Sequence, residues 1–369
     1  CVGNVRGGAI YANSNSYLSI TNSNFTDNGV FLYRGATGGG SYCRGGAIYL
    51  ENVNAANIIN STFSNNSVNG FDVNNLGGAI FLSNSNLNIQ GSKFINNSAI
   101  KNADLNLNQF IGGAIYATGA NSKVIVNDSS FTNNYAFYDG GAIYIDYNVK
   151  LDVTESNFTD NKVSNDGDGG GAILLRGNYN GNIIDCNFTN NSGPWGGAIY
   201  AGQNTVGFLN MADCYFINNT ATNAGGAILT RFDIIVNNST FINNTALNSA
   251  YGGGAIIEWE PNDSKYIKVI NSKFESNTVN GNGGAVSGMG KGDVNITNST
   301  FTDNTANING GAVHSENGNV NIMDSNFIDN TATNIGGAIY GNKNTNIQNS
   351  NFTNNLALEM GGAVYGVGN

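Results

Sequence analysis

Apolar residues recur along this chain at fixed distances from a repeated phenylalanine. Five residues before it stands an apolar side chain every time: Ile20, Ile58, Ile89, Val126, Val153, Ile183, Met211, Val236, Val269, Ile296, Ile322 and Ile347. Two residues earlier there is usually another, as in Leu18, Leu87, Val124 and Leu151. Alternation with period two predicts a short strand. Three before the phenylalanine comes Asn, Asp, Glu or Gly, a place rich in residues that tolerate bends. Two before it the residue is always Ser or Cys, from Ser23 and Ser61 to Ser325 and Ser350, with Cys186 and Cys214 as the exceptions to serine. Residues two apart in a strand share a face, so this small side chain and the phenylalanine both point inward.

An asparagine follows three residues after each phenylalanine. The pairs are Phe25/Asn28, Phe63/Asn66, Phe94/Asn97, Phe131/Asn134, Phe158/Asn161, Phe188/Asn191, Phe216/Asn219, Phe241/Asn244, Phe274/Asn277, Phe301/Asn304, Phe327/Asn330 and Phe352/Asn355. They interleave with thirteen Gly-Gly-Ala-Ile/Val tetrads, which begin at Gly7, Gly45, Gly77, Gly112, Gly140, Gly170, Gly196, Gly225, Gly253, Gly283, Gly310, Gly336 and Gly361. The spacing of successive tetrads runs from 25 to 38 residues, the period of a solenoid.

One unit holds about three short strands and too little apolar surface to fold alone, whereas stacked units bury it. The pattern predicts an all-β, single-stranded right-handed parallel β-helix of about twelve coils, forming one domain over residues 1–369. Equivalent residues then lie about 4.8 Å apart along the axis. The inward positions become ladders of Phe on Phe, Ser on Ser and Asn on Asn, and stacked amides satisfy one another. The glycine pair fits a positive φ or a corner too crowded for a Cβ. The Ile or Val of the tetrad is placed inward. The residue after it varies (Tyr11, Tyr49, Phe81, Tyr116, Tyr144, Leu174, Tyr200, Leu229, Ile257, Ser287, His314, Tyr340, Tyr365) and is expected to face solvent. Nothing in the pattern explains why the alanine is fixed.

Only 11% of residues are charged, and the formal net charge is -10. No basic stripe is present, so nucleic acid is not an expected partner. No apolar run reaches the length of a membrane span, and direct membrane insertion is not expected within this chain.

The interleaved Gly-Gly-Ala-Ile and Phe-x-x-Asn landmarks resemble the repeat of the polymorphic outer-membrane proteins of chlamydiae. The Asn-rich units with Gly-Gly-Ala-Ile-Tyr are also similar to adhesin-like surface proteins of methanogenic archaea. The resemblance covers nearly all of the chain from Gly7 to Tyr365. It implies a β-helix displayed on a cell surface and used for adhesion, and it supplies no active site. No membrane β-barrel segment follows the repeats here, a departure from the chlamydial pattern.

Enzymes that cut polysaccharides also use β-helices, and they need close carboxylates or a base beside a cation or metal. His314, the one histidine, falls in the variable outward column and reads as a surface substitution. Asp166 and Asp168 with the glycines around them offer oxygen ligands for Ca²⁺, against the plainer reading of a solvated turn. Neither a cofactor nor a metal is expected. Cys186 and Cys214 share a column in consecutive turns, close enough for a bridge, although parallel Cβ vectors strain it, so a reduced pair and a disulfide both remain open. Cys1 and Cys43 flank the first unit and offer a second pairing. A chain beginning at Cys1 fits a lipid-modified terminus or, more plainly, a cleaved or truncated piece. The sequons follow from composition.

Insertions between the asparagine and the next tetrad carry aromatics, among them Phe31, Tyr33, Tyr42, Phe71, Phe110, Tyr138 and Trp195. Coming from equivalent corners, they are expected to gather along one edge, either as a contact surface for a glycan or protein or as local packing. The function expected is a non-catalytic, extracellular surface adhesin or stalk binding a cell-surface glycan or protein. A subunit that polymerises end to end with its own copies is the second reading, and a polysaccharide-degrading enzyme the third.

Overall fold

Each phenylalanine lies on a short strand in the computed structural model, which describes residues 4–32, 42–70, 73–101, 110–177, 179–202, 207–248 and 251–367. Every regular element among them is a β-strand. Two compact units are present: residues Cys1–Asn182 with Asn191–Gly193, and Ile183–Asn190 with Pro194–Asn369. Each is a right-handed parallel β-helix. The first stacks six tetrad strands and five phenylalanine strands, the second seven of each.

A turn contains four strands rather than about three. In one turn of the first unit they are Ile48–Glu51, Ala55–Ile59, Thr62–Ser64 and Ser67–Gly70. The fourth strand follows the asparagine at once and is short, with one small buried residue per turn, such as Val68, Ala99, Ala246, Val279 and Ala306. A further small sheet in the first unit joins Asn4–Arg6, Tyr42–Arg44, Asn74–Leu76 and Phe110–Ile111. Register between turns is residue for residue, with Ile58 opposite Ile89 and Phe63 opposite Phe94.

Two left-handed corners bracket each phenylalanine strand. The anticipated one lies three residues before the phenylalanine, as at Asn60 with φ 49°. The second lies two residues after it, where Asp27, Asn65, Asn96, Asn133 and their equivalents all have positive φ. Asn and Asp are the non-glycine side chains that enter this region most readily, which is why both columns are mostly Asn and Asp, with Gly91, Glu155 and Ser276 the exceptions.

Inside, the columns are ladders. Neighbouring phenylalanine rings lie 4.7–5.0 Å apart within each unit and nearly parallel. The serine hydroxyl of one turn accepts from the serine N–H of the turn before and donates to a carbonyl two residues back, as Ser92 Oγ does with Ser61 N at 3.1 Å and Gln90 O at 3.0 Å.

The asparagine column forms the expected ladder of stacked amides and adds a bond from each amide to the backbone. An amide carries two donor hydrogens, and the next turn offers only one Oδ1, so the second hydrogen goes to the backbone. Thus Asn134 Nδ2 donates to Asn161 Oδ1 at 2.9 Å and to Phe94 O at 3.0 Å, and Asn161 Nδ2 donates to Phe131 O at 2.9 Å. In the second unit Asn304 Nδ2 donates to Asn330 Oδ1 at 2.9 Å and to Phe274 O at 3.1 Å. Asn330 Nδ2 in turn donates to Asn355 Oδ1 and to Phe301 O, both at 2.9 Å. Each Oδ1 also takes a backbone N–H from the turn before, as Asn161 Oδ1 does from Asn134 N and Asn355 Oδ1 from Asn330 N, both at 3.1 Å. Asn66, Asn97, Asn134, Asn161, Asn191, Asn219, Asn244, Asn277, Asn304 and Asn330 have no exposure, so they hold the interior together and are closed to any ligand. Asn28, at an end of the first unit's column, and Asn355, at an end of the second's, are half-buried; Asn355 Nδ2 still donates to Phe327 O at 2.8 Å.

The two glycines of the tetrad serve different needs. The first has φ of +64 to +71° at Gly45, Gly77 and Gly196, a conformation that penalises a Cβ. The second sits where a turn closes on itself: a Cβ on Gly46 would overlap Gly78 O and lie 2.8 Å from Ser67 N of the fourth strand. The alanine also has a role in this corner. From Ala47 to Ala338 it is fully buried, and its carbonyl accepts from two successive N–H groups of the preceding turn, as Ala79 O does from Ala47 and Ile48 at 2.9 Å.

Tyr11 of the column after the tetrad is exposed as expected and Tyr340 and Tyr365 are half-buried, but the rest of the column does not face solvent. Tyr49, Phe81, Tyr116, Tyr144, Leu174, Tyr200, Leu229, Ile257, Ser287 and His314 are all buried. In the first unit Tyr11, Tyr49, Phe81, Tyr116 and Tyr144 form a second ring ladder at 4.9–5.2 Å. Arg6 lies over Tyr49 at 5.1 Å, Arg44 lies over Phe81 at 4.9 Å, and Arg176 Nη1 donates to Tyr144 Oη at 3.0 Å. Side chains from the corners therefore cover the outer face of this sheet. His314 is likewise no surface substitution. It is enclosed between Ser287, whose Oγ lies 3.3 Å from Nδ1, and Tyr340, whose ring stacks at 5.1 Å, with Glu316 at 3.3 Å from Nε2.

Candidate binding surfaces

Tyr33 and Phe71 lie outside the described residues, as does Cys1 of the Cys1–Cys43 pairing. Phe31 is exposed. Tyr42 is half-buried beneath the Arg44 guanidinium at 4.0 Å. Phe110 is buried and meets Phe137 edge-on at 5.9 Å, so it packs locally and presents no face to a ligand. Tyr138 is half-buried, and burial pushes its hydroxyl pKa up.

Trp195 has a different setting, in the second unit. Its ring lies 4.8 Å from Trp259 and 6.2 Å from Tyr251, and those two are 4.4 Å apart. Trp195 and Trp259 are half-buried and Tyr251 is exposed. The rings are tilted by 30–49° instead of stacked, so they do not continue a ladder. Arg231 lies 5.8 Å from the Trp259 ring centre, and its Nε faces Glu260 at 3.9 Å. Glu258, next to Trp259 in sequence, is buried, and burial pushes its carboxyl up to about 7 although Gly290 N donates to it at 2.8 Å.

Sequence reasoning missed Tyr251 and Trp259. Tyr251 stands just before a tetrad, as Trp195 does, and the shared corner was a usable signal. Trp259 stands at a strand end, aligned by no landmark. Its N–H donates to Thr230 O at 2.8 Å, which fixes it beside Arg231.

A groove of about 1010 Å³ runs over the second sheet of the same unit. Tyr266, Lys268, Asn295, Asn321, Asn346 and Met323 line it, with no carboxylate among its lining residues. Its outer asparagines form a ladder of their own, Asn321 Nδ2 to Asn295 Oδ1 at 2.9 Å and Asn346 Nδ2 to Asn321 Oδ1 at 2.8 Å. Such a lining offers amide donors and acceptors but lacks the acid pair that glycoside hydrolysis uses.

Asp166–Asp168 is a turn in which Gly167 N donates to Ser164 O and Asp168 N to Tyr138 O, both at 2.9 Å. The nearby Asp139 carboxyl is buried and pushed up to about 8 by burial and by the charge of Asp168. No group of three metal-binding side chains occurs among the described residues. Cys186 and Cys214 are thiols here, without a bridge. Their Sγ atoms donate to Ile184 O and Ala212 O, each at 3.1 Å, in the manner of the serine column they interrupt. Side chains stacked in one column point the same way, which favours this arrangement over a disulfide.

A parallel β-helix with a Phe/Asn interior and glycine-closed corners defines the class. Within it, residues 128–146, 185–202, 213–231, 298–316 and 324–342 match the Chlamydia polymorphic membrane protein repeat. A probable outer membrane protein of Chlamydia pneumoniae, pmp18, is 38% identical over 86 residues, 23% of this chain. The metabotropic glutamate receptor-like protein R of Dictyostelium discoideum is 29% identical over 202 residues, 54% of this chain. The aligned parts span only 9% and 11% of those relatives' own lengths. Among solved structures, the Streptococcus pneumoniae surface protein and adhesin PfbA is similar over 93% of this chain and 91% of its own, with 12% identity and a TM-score of 0.29. At that score the likeness bears on neither fold nor function. No helix among the described residues is long and apolar enough to cross a membrane.

Proposed function

We propose that this chain is the β-helical attachment region of a protein displayed outside the cell, an adhesin or stalk that holds a surface glycan or protein without catalysis. The observation that carries the reading is the set of five segments matching a repeat named for a membrane protein family. Two of the similar proteins, a probable outer membrane protein and a receptor-like protein, support the same cell-surface setting. The groove agrees with holding a partner, since amides and a lysine line it and no carboxylate does.

The test is attachment. Beads coated with the chain are expected to adhere to host or neighbouring cells, and soluble chain is expected to compete. Beads that adhere no better than albumin-coated controls would sink the reading, as would turnover of a polysaccharide by the purified chain.

A further inference from the structure

We propose that Trp195, Tyr251 and Trp259, with Arg231 and Glu260 at their edge, form a binding site for a neutral pyranose ring of a glycan. This deepens the attachment reading and rests on it.

Both tryptophans of the chain meet here, although 64 residues of sequence separate Trp195 from Trp259. Elsewhere, aromatic columns stack nearly parallel and serve as core. This group is tilted, drawn from several corners, and retains exposed ring surface. Contacts of 4.4 and 4.8 Å between ring centres leave no space for a methylated ammonium between them, and Arg231 already occupies the cation position near Trp259. The group is therefore a platform rather than a cage.

A pyranose lays its C–H face on such a platform and directs its hydroxyls to the rim. Arg231 and Glu260 stand at that rim, 3.9 Å apart, longer than a hydrogen bond. Arg231 Nε and Glu260 Oε2 are themselves enclosed and without a hydrogen-bond partner, while the two side chains keep 35% and 19% exposure through their other atoms, and a guanidinium carries five donors. One group supplies donors and the other acceptors, which suits a sugar hydroxyl able to do both. The paired opposite charges and the net charge of -10 disfavour an acidic sugar. Trp, Tyr and Arg also make protein hot spots, but those sit within apolar surroundings.

Because both tryptophans lie in the site, their emission reports on it directly. We expect cellohexaose, xylohexaose, mannohexaose or chitohexaose to quench or blue-shift that emission saturably. Tyr251→Ala and Trp259→Ala should each weaken binding at least about tenfold, and Tyr251→Ala, being at an exposed position, should leave melting unchanged. The site is refuted if none of the four alters the emission, or if calorimetric affinity survives in Tyr251→Ala. Cell attachment is measured in parallel. Full attachment by Tyr251→Ala beads overturns the site and spares the attachment reading; saccharide binding without cell attachment supports the site and overturns that reading.

Discussion

Replacing Asn244 by alanine removes one rung from the asparagine ladder at its most fully bonded place. The lost amide made four hydrogen bonds, to Phe216 O, Asn277 Oδ1, Asn219 N and Asn219 Nδ2. Asn277 Oδ1 keeps the backbone N–H of residue 244, at 3.0 Å. Asn219 N–H and one Nδ2 hydrogen of Asn219 lose their acceptor in a site with no exposure. At about 1–3 kcal/mol for each buried donor left unmade, the substitution costs about 2–6 kcal/mol. Asn28 offers the internal control. Its side chain donates to Asn66 Oδ1, and that oxygen keeps the Asn28 backbone N–H after truncation. Asn28→Ala should therefore cost only about 0.5–1.5 kcal/mol. Repeat stacks can open locally, so the assay pairs urea denaturation with hydrogen exchange at Asn219 N–H. Equal losses in the two variants, or an Asn219 amide still protected in Asn244→Ala, would refute the ladder's energetic role.

Three further outcomes follow from the same geometry. Gly226→Ala drives a Cβ into Gly254 O and should prevent stable folding, whereas in Gly362→Ala the nearest atom is 3.7 Å away and melting should barely change. Glu258 has a folded pKa raised from 4.5 to about 7, so its contribution to stability is complete below about pH 4.5 and is lost as pH rises through about 7. Glu258→Gln should flatten that part of the pH–melting curve, and an unchanged slope would contradict the assignment. Burial pushes the Cys43 thiol up to about 12, and the hydrogen bond with Cys186, together with burial, raises that of Cys214. Both should therefore resist iodoacetamide at pH 8 until urea is added. Rapid native labelling of either would contradict their placement.

Much of the interior was legible because each unit repeats the same demand. Phe63 and Phe94, Ser61 and Ser92, and Asn66 and Asn97 occupy columns whose side chains must match the turn above and below. The amide-to-backbone half of the asparagine bonding, as in Asn134 to Phe94 O, was not legible, because a column pattern shows which side chains align and not where carbonyls point. Alternation likewise shows which way a strand residue points, but not whether anything covers that face. Tyr49 and His314 were placed in solvent for that reason, since a column pattern does not show that Arg6 and Glu316 lie against them. The fourth strand was missed because its few residues are too short to show a period. The corner after each phenylalanine was visible in principle as an Asn/Asp column, including Asn65, Asn96 and Asp160. The Trp195 platform was half seen: one ring was named, while its partners come from a turn two units downstream.

The central claim is that one sequence unit makes one turn, and deletion tests it most directly. Removing residues 310–335, one whole period, brings Gly336 to the place of Gly310 and leaves every column in register. Removing only residues 310–322 shifts all later columns to the wrong face. Circular dichroism with urea titration should show a cooperative β-structure in the whole-period deletion and its loss in the half-period one. Indistinguishable behaviour of the two deletions would contradict the account.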